Sequence, residues 1–359
     1  MLCIFKINFY ITTKLLVMKK FSFFFCTIAL LFSLSSSAQK TPIDSLKFFT
    51  DEDIIEMTLT TDIRGLQRQK GDDVFQEGTV KMKFPDNTEV TEKVAVGARG
   101  KFRRENCRIP PIMMNFRSPG SALNNLGKLK LVISCGPKSG DEELLFKEFL
   151  IYKIYNLLEN KSFRVRLLNI NYEDASGKNK PFTQHAFLLE DDGEMARRNG
   201  CQKKEHPPYL TESTDRELMT MVSIFEYFIG NTDWSVPNNH NIKLIFDRKN
   251  DAALPYPVAY DFDYCGLVDA SYAIPNEVIG TEKVTERVYR GFPRSLEEIQ
   301  SILTVFKNKK ESIYNLINSF TLLSEKARKV MTSYLDDFYT TIQSNSQVKT
   351  IFIDNARRN

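Results

Sequence analysis

The hydrophobic pattern changes its period part-way along the chain, and this change limits the folds that the sequence can adopt. Apolar and polar residues alternate in 54–62, 77–84 and 88–98, and shorter strand-like runs follow at 111–117 and 128–134. Such alternation is typical of half-buried β-strands. We therefore predict a β-rich first half.

The second half has a helical pattern. Segment 141–158 already repeats its apolar residues at helical spacing, with acids in its first turn where the helix dipole favours them. Two more strands are predicted at 163–173 and 183–190, and amphipathic helices at 295–318 and 322–345. The order predicts an α+β fold.

Residues 1–38 have the pattern of an upstream extension followed by a secretory signal peptide that starts at Met18. Lys19 and Lys20 precede a short apolar run, and we predict cleavage after Ala38 and export to the periplasm, the cell envelope or the medium. The run is shorter than the ~20 residues that cross a bilayer, so no stable span is predicted after cleavage. The lysines of this leader account for the net charge of +4. Charge therefore gives no reason to predict nucleic-acid binding.

Four cysteines lie beyond this leader: Cys107, Cys135, Cys201 and Cys265. An oxidising compartment permits disulfides, and four cysteines allow three pairings. Cys107 follows a turn rich in Gly and Arg, and Cys135 ends a predicted strand, which favours a bond between these two. The alternative is that all four are free and buried.

The segment from Gly230 to Gly266 holds the densest set of chemically useful side chains. The loop GNTDWSVPNNHN follows a helix with a predicted capping box at Thr214 and Glu217, and it precedes the strand IKLIF. A loop Asp, a nearby Asn and a carboxylate at the next strand end form the layout of phosphoryl-transfer sites. Asp233 is the candidate that orients or deprotonates a hydroxyl, and the alternative is an Asx-turn residue.

Oxygen ligands for Mg²⁺ or Mn²⁺ are available on both sides of that strand. Asn238 lies five residues after Asp233, but Asn241 directly precedes the strand, so we favour Asn241 and keep Asn238 as the alternative. Asp261 is the predicted first carboxylate ligand. Asp263 is the second, because in an extended segment Asp261 and Asp263 point the same way. Two carboxylates facing one spot are costly without a cation between them; alternatively, Asp263 caps the next turn.

A nucleotide lysine is less clearly marked. Lys128 and Lys130 alternate in a predicted strand, and the following helix carries Glu143 and Glu148. A strand Lys paired with a helix Glu holds nucleotide phosphates in kinases, so Lys130 and Glu148 are the candidate pair, and exposed surface residues are the alternative. The sequence has no GxxxxGK[ST], GxGxxG, GxSxG or HExxH motif. This argues against a P-loop NTPase, a Rossmann-fold enzyme, a serine hydrolase of the elbow type and a zincin.

In this order, the pieces resemble the spore-coat CotH kinase family, an atypical branch of the protein-kinase-like fold. VGARGKFRR is similar to its RGN-type strand end, KEFLIYKIYNLL to its helix and AFLLEDDGE to its hinge. NTDWSVPNNHN and AYDFDYCG are similar to its NWD…HN loop and WDLD-type strand end. The resemblance extends from residue 55 to about 270.

The resemblance implies a two-lobed fold, with a β-rich N-lobe at 39–192 and a helical C-lobe at 193–359. It also implies an ATP-dependent enzyme that uses Mg²⁺ or Mn²⁺ to phosphorylate a hydroxyl of a protein acceptor. Asp233 would be catalytic, and Glu190 and Asp191 would lie near the adenine. The alternative is an inactive envelope protein that keeps the fold as a binding module.

Overall fold

The structure is a computed structural model that describes residues 45–69, 71, 74–100, 107, 109–116, 120–136 and 139–358. These residues belong to one compact unit. The predicted leader and its cleavage point lie outside the described residues.

The first half is a closed seven-stranded barrel in the order β1-β2-β3-β4-β5-β7-β6. Its strands are β1 (Ile55–Thr61), β2 (Gln76–Lys83), β3 (Glu89–Ala98), β4 (Ile112–Asn115), β5 (Lys128–Ile133), β6 (Val165–Asp174) and β7 (Phe182–Leu189). Neighbouring strands are antiparallel, except that β1 and β6 are parallel. Three helices accompany them: α1 (Ser45–Thr50), α2 (Ile63–Arg68) and α3 (Ser139–Leu158).

The second half is mainly helical around a three-stranded sheet in the order β10-β9-β8. Its elements are α4 (Asp192–Arg198), β8 (Cys201–Gln202), α5 (Arg216–Ile229), β9 (Ile242–Asp247), β10 (Tyr256–Ala259), α6 (Leu296–Ser319), α7 (Glu325–Thr341) and α8 (Asn345–Lys349). Short turns of 3-10 helix lie at Asn124–Leu126, Thr211–Ser213 and Glu277–Ile279, and a π-turn at Thr350–Asp354. No helix in the described part of the chain is both long and apolar enough to cross a membrane.

Alternation along the strands divides the apolar residues between two cores. Leu168 on β6 and Leu188 on β7 belong to the barrel's own core. Their neighbours Leu167 and Phe187 belong to the core shared with the helices, where Phe149 of α3 lies 5.9 Å from Phe187 between ring centroids. Successive strand side chains point to opposite faces, so a single strand can line both cores.

The predicted two-lobed, protein-kinase-like fold is wrong. The β-rich half closes into a barrel, and such a barrel is not a kinase-like lobe. The coarser prediction of an α+β class with a helical second half is confirmed. The alternating pattern identified the strands, but it carries no information about whether the first strand pairs with the sixth.

The predicted strands and the helices at 141–158, 295–318 and 322–345 are confirmed to within a few residues. The predicted cap of α5 is wrong by one residue. Asp215, not Thr214, is the N-cap, and its carboxylate accepts the Leu218 N–H at 2.9 Å. The Thr214 hydroxyl donates instead to the Thr211 carbonyl, so it is already committed to the preceding turn.

The predicted Cys107–Cys135 disulfide is present, with 4.6 Å between the two Cα atoms. Cys201 and Cys265 are free and buried. The bond joins the connection between β3 and β4 to the end of β5, so it ties together both sides of the short strand β4.

Candidate functional site

The loop after α5 places Asp233 beside two side chains that hold its carboxylate. His240 Nε2 lies 2.8 Å from Asp233 Oδ1, and Asn241 Nδ2 donates to Oδ2 at 3.1 Å. Asn241 Nδ2 also donates to the Asp233 carbonyl at 2.6 Å. The alternative ligand Asn238 is exposed, and its backbone N–H donates to Ser235 Oγ at 3.4 Å. Asn241 is therefore the asparagine that the fold brings to Asp233.

The β9–β10 hairpin places Asn241 opposite Tyr260, the residue directly before Asp261. Ile242 is paired with Ala259 in the antiparallel register, so the next two residues, Asn241 and Tyr260, also lie opposite each other. The Tyr260 N–H donates to the Asn241 carbonyl at 3.1 Å. Asn241 and Asp261 both have left-handed backbones, with φ of 53° and 65°. Such conformations are uncommon outside glycine and concentrate at functional sites.

Asp261 and Asp263 have different surroundings. The Asp261 backbone N–H donates to the Tyr152 hydroxyl of α3 at 2.8 Å, whereas the Asp263 carboxylate accepts the Tyr272 hydroxyl at 3.0 Å. The idea that the two carboxylates point the same way required an extended backbone through 261–263. The left-handed Asp261 interrupts it, so that reason for pairing them as ligands is lost.

Lys130 on β5 faces a polar cluster at the start of α4. Its ammonium lies 3.4 Å from Asp192 Oδ1, and Lys203 lies 3.5 Å from Oδ2. Burial chiefly lowers the pKa of Lys130; Lys243 lowers it further, while Asp192 and Asp261 oppose the change. Burial alone would raise the pKa of Asp192, but the three lysines together hold it below its usual range.

The proposed partner of Lys130 is elsewhere. Glu148 is buried on α3 and lines a small pocket with Ile133 and Cys135, while Lys130 forms its ion pair with Asp192. Asp192 was missed because it lies inside AFLLEDDGE, the run that resembles a hinge, of which only Glu190 and Asp191 were candidates.

The carboxylates of Glu190 and Asp191 are engaged by protein groups. Glu190 forms a buried ion pair with Arg198 at 2.8 Å and accepts the Arg164 N–H. Asp191 caps α4 by accepting the Gly193 and Glu194 N–H groups, and its other oxygen accepts the Lys128 N–H at 2.9 Å. Both side chains stabilise the junction between β7 and α4.

Two cavities open beside these residues. One, of about 430 Å³, is lined by Lys203, Lys204, Lys243 and Asp192 among others. The second, of about 490 Å³, has Asp233 at its wall. A third groove, of about 750 Å³ on α7, shares no residue with either and contains none of the candidate residues. The first two cavities therefore define the candidate site.

The candidate metal ligands are few. The described residues contain no cluster of three or more His, Cys, Asp or Glu side chains arranged to hold a metal ion. One Asp261 carboxylate and the amide oxygen of Asn241 are hard oxygen ligands, and Mg²⁺ commonly takes one or two protein ligands and completes its shell with water and phosphate. By donor type, these two side chains suit a metal that arrives with a phosphate ligand.

No protein-family model matches this sequence, and a comparison with curated proteins found no match. The resemblance to the CotH kinases therefore stays a prediction.

Proposed function

We propose that this protein binds a phosphate-bearing nucleotide, Mg-ATP in the simplest case, and transfers its phosphoryl group to a hydroxyl of a protein acceptor. The observation that carries the proposal is the grouping of Lys130, Lys203 and Lys243 around Asp192, next to Asp261. Three ammonium groups face two carboxylates there. The excess positive charge, partly buried, favours an anion with several oxygens.

Asp233 supports a transfer step because it lies at the wall of a separate cavity. An acceptor hydroxyl in that cavity could hydrogen-bond to the Asp233 carboxylate, which His240 and Asn241 hold in place. As the acceptor oxygen forms its bond to phosphorus and the bond to the leaving phosphate breaks, the hydroxyl proton passes to Asp233. Positioning supplies most of the rate.

Asn241 and Asp261 would hold the metal in this proposal. A bound Mg²⁺ neutralises charge on the phosphate oxygens. The Asn241 amide nitrogen contacts Asp233, so its oxygen is the atom suited to the metal. Asp263 remains the candidate second ligand, and its hydrogen bond from Tyr272 would orient it.

Export is part of the proposal and is supported by the Cys107–Cys135 disulfide, because such bonds persist in oxidising compartments. A binding module without transfer is the second candidate. It is favoured by Glu190 and Asp191, whose carboxylates are fully engaged in holding the fold.

The test is calorimetric titration of residues 39–359 with ATP, with and without Mg²⁺. Lys130→Met should weaken binding roughly tenfold or more, because a charge-assisted bond is lost. Lys249→Met, an exposed change in the β9–β10 hairpin, is the control and should bind as the parent does. No binding by the parent, or equal binding by Lys130→Met, would overturn the proposal.

A variant of Asp233 separates the two candidate functions. Asp233→Asn should keep nucleotide binding and lose phosphate transfer to acceptor protein from an envelope extract, measured with γ-labelled ATP. Binding without transfer in the parent would support the binding module, and transfer by Asp233→Asn would remove Asp233 from the mechanism.

A further inference from the structure

Tyr152 of α3 is a buried residue whose hydroxyl group reaches the end of β10. The residue is 1% exposed, and its hydroxyl oxygen accepts the Asp261 N–H at 2.8 Å. Its ring centroid lies 4.7 Å from that of Phe262 and 5.8 Å from that of Phe187. Side chains in close-packed cores stay in one rotamer, so these ring contacts fix the position of the hydroxyl oxygen.

The backbone of Asp261 requires an acceptor outside the sheet. Beyond the paired residues of β9 and β10, one more bond runs from the Tyr260 N–H to the Asn241 carbonyl. The left-handed conformation of Asp261, with φ of 65°, then turns the chain away from β9. A backbone N–H that is turned into the protein interior is costly without an acceptor, and the Tyr152 hydroxyl supplies one.

The segment that follows Asp261 is bound from two sides. Lys147 of α3 donates its ammonium group to the Val268 carbonyl at 3.0 Å. From the other side, the Gly266 N–H donates to the carbonyl of Gly230, at the end of α5, at 3.0 Å. Helix α3 therefore contacts this segment at two points, and one of them is Asp261 itself.

The Tyr152 hydroxyl keeps its proton in this environment. Burial chiefly, and then Glu148 and Asp261, raise the pKa of Tyr152 well above its ordinary value. A neutral hydroxyl group both accepts and donates hydrogen bonds, so it can accept the Asp261 N–H without placing a like charge beside the carboxylate.

Tyr155 on the same helix offers an internal comparison. It is fully buried, and its ring stacks on that of Phe225 with 4.2 Å between centroids. Its hydroxyl, however, makes no hydrogen bond within the described part of the chain. The two tyrosines thus share a helix and a buried setting, and they differ in whether the hydroxyl holds the backbone of a site residue.

We propose that Tyr152 is a positioning residue whose hydroxyl holds the Asp261 backbone in the left-handed conformation from which the Asp261 carboxylate binds the metal. The metal part of this inference rests on the proposed function. The hold on the Asp261 backbone does not.

Hydrogen exchange at the Asp261 amide, corrected for the intrinsic rate, tests the hold on the backbone. Tyr152→Phe should lower protection there about tenfold or more, because the N–H loses its acceptor while the ring contacts remain. Tyr155→Phe is the control and should match the parent within about twofold, because its hydroxyl holds no described group. Equal protection in the parent and in Tyr152→Phe would overturn the proposal.

Calorimetric titration with ATP, with and without Mg²⁺, tests the metal part. In Tyr152→Phe, the ratio of the affinities with and without Mg²⁺ should fall about tenfold, whereas metal-free binding should stay within about twofold of the parent. A general structural role would lower both affinities together. Asp261→Asn, which also tolerates a left-handed backbone, should keep the amide protection and lose the gain from Mg²⁺. An unchanged ratio in Tyr152→Phe would overturn the metal part.

The two measurements separate the possible failures. A parent that binds no Mg-ATP overturns the proposed function, and the metal part with it, while exchange at Asp261 still decides whether Tyr152 holds the backbone. If Tyr152→Phe does not fold, the parent decides alone: an Asp261 amide that exchanges at its intrinsic rate would overturn the hold.

Discussion

At the residue scale, several buried ionic groups join separate segments of the chain and take no part in the candidate site. Arg198 is the clearest case. Its guanidinium binds both oxygens of Glu190 and also donates to the Asn160 and Ser162 carbonyls. The arrangement fastens α4 to the turn between α3 and β6. The motif that resembled a hinge therefore has a structural role in this chain.

Removing one member of this pair should be costly because it leaves the other buried and unpaired. We expect Arg198→Met to lower the free energy of unfolding by about 3 kcal/mol. Arg197→Met is the control: its partner is Glu194 in an exposed i,i+3 pair, so the loss should stay below about 0.5 kcal/mol. Urea denaturation of both variants checks this, and equal losses would refute the structural role.

Residue identity gave useful but incomplete information about the site. Asp233, Asn241 and Asp261 were picked out by their residue types and spacing, and the structure joins Asn241 to Asp233 and to Tyr260, the residue before Asp261. Lys243 was not found, because a polar residue in an apolar strand normally indicates a solvated face. Only the fold shows that Lys243 lines a cavity of the site.

At the element scale, helix starts are fixed by side-chain caps that also join helices. Ser295 and Glu298 form a capping box at the start of α6, with the Ser295 N–H donating to Glu298 Oε2 at 2.7 Å. The same carboxylate accepts Arg216 from the start of α5 at 3.1 Å. The sequence pattern Ser-x-x-Glu predicts such a box, but Asp215 shows that a neighbouring capping residue can replace a predicted one.

Ser295→Ala should therefore lower the free energy of unfolding by about 1 kcal/mol, because the cap loses its acceptor. Ser301→Ala, at an exposed position inside α6, is the matched control and should be neutral or slightly stabilising.

The measurement is thermal unfolding at pH 7 and pH 3. The pKa of Glu298 is lowered from its ordinary 4.5 to about 2. The largest cause is the hydrogen bond from Arg216, and the next is the hydrogen bond from the Ser295 N–H. Its contribution is thus complete above pH 4.5 and declines as the pH falls toward 2. Glu298→Gln should lessen the acid sensitivity, and an unchanged acid dependence would contradict this assignment.

At the scale of the whole molecule, strands were predictable and their closure was not. Alternating patterns are local, so 54–62 and 163–173 could each be identified from their own residues. Their parallel pairing depends on side chains and backbone far apart in the chain. The order of helices and strands along the chain does not distinguish an open lobe from a closed barrel. The kinase-like prediction failed at that step.

The Cys107–Cys135 bond constrains the unfolded chain over a separation of 28 residues. We expect it to contribute about 3 to 4 kcal/mol to stability. Reductant should lower the urea midpoint of the parent to that of the Cys107→Ser/Cys135→Ser double variant. It should leave the double variant itself unchanged, and a parent that is insensitive to reductant would contradict the prediction.

The parallel pair of β1 and β6 also has a consequence for timing. Thr60 on β1 binds Glu173 on β6, 113 residues later. A ribosome adds roughly 5–20 residues per second, so the first strand waits several seconds before its second neighbour exists. Until then the nascent sheet presents an unpaired edge, the kind of surface that recruits other chains. This chain therefore most needs a chaperone in the interval before β6 pairs with β1.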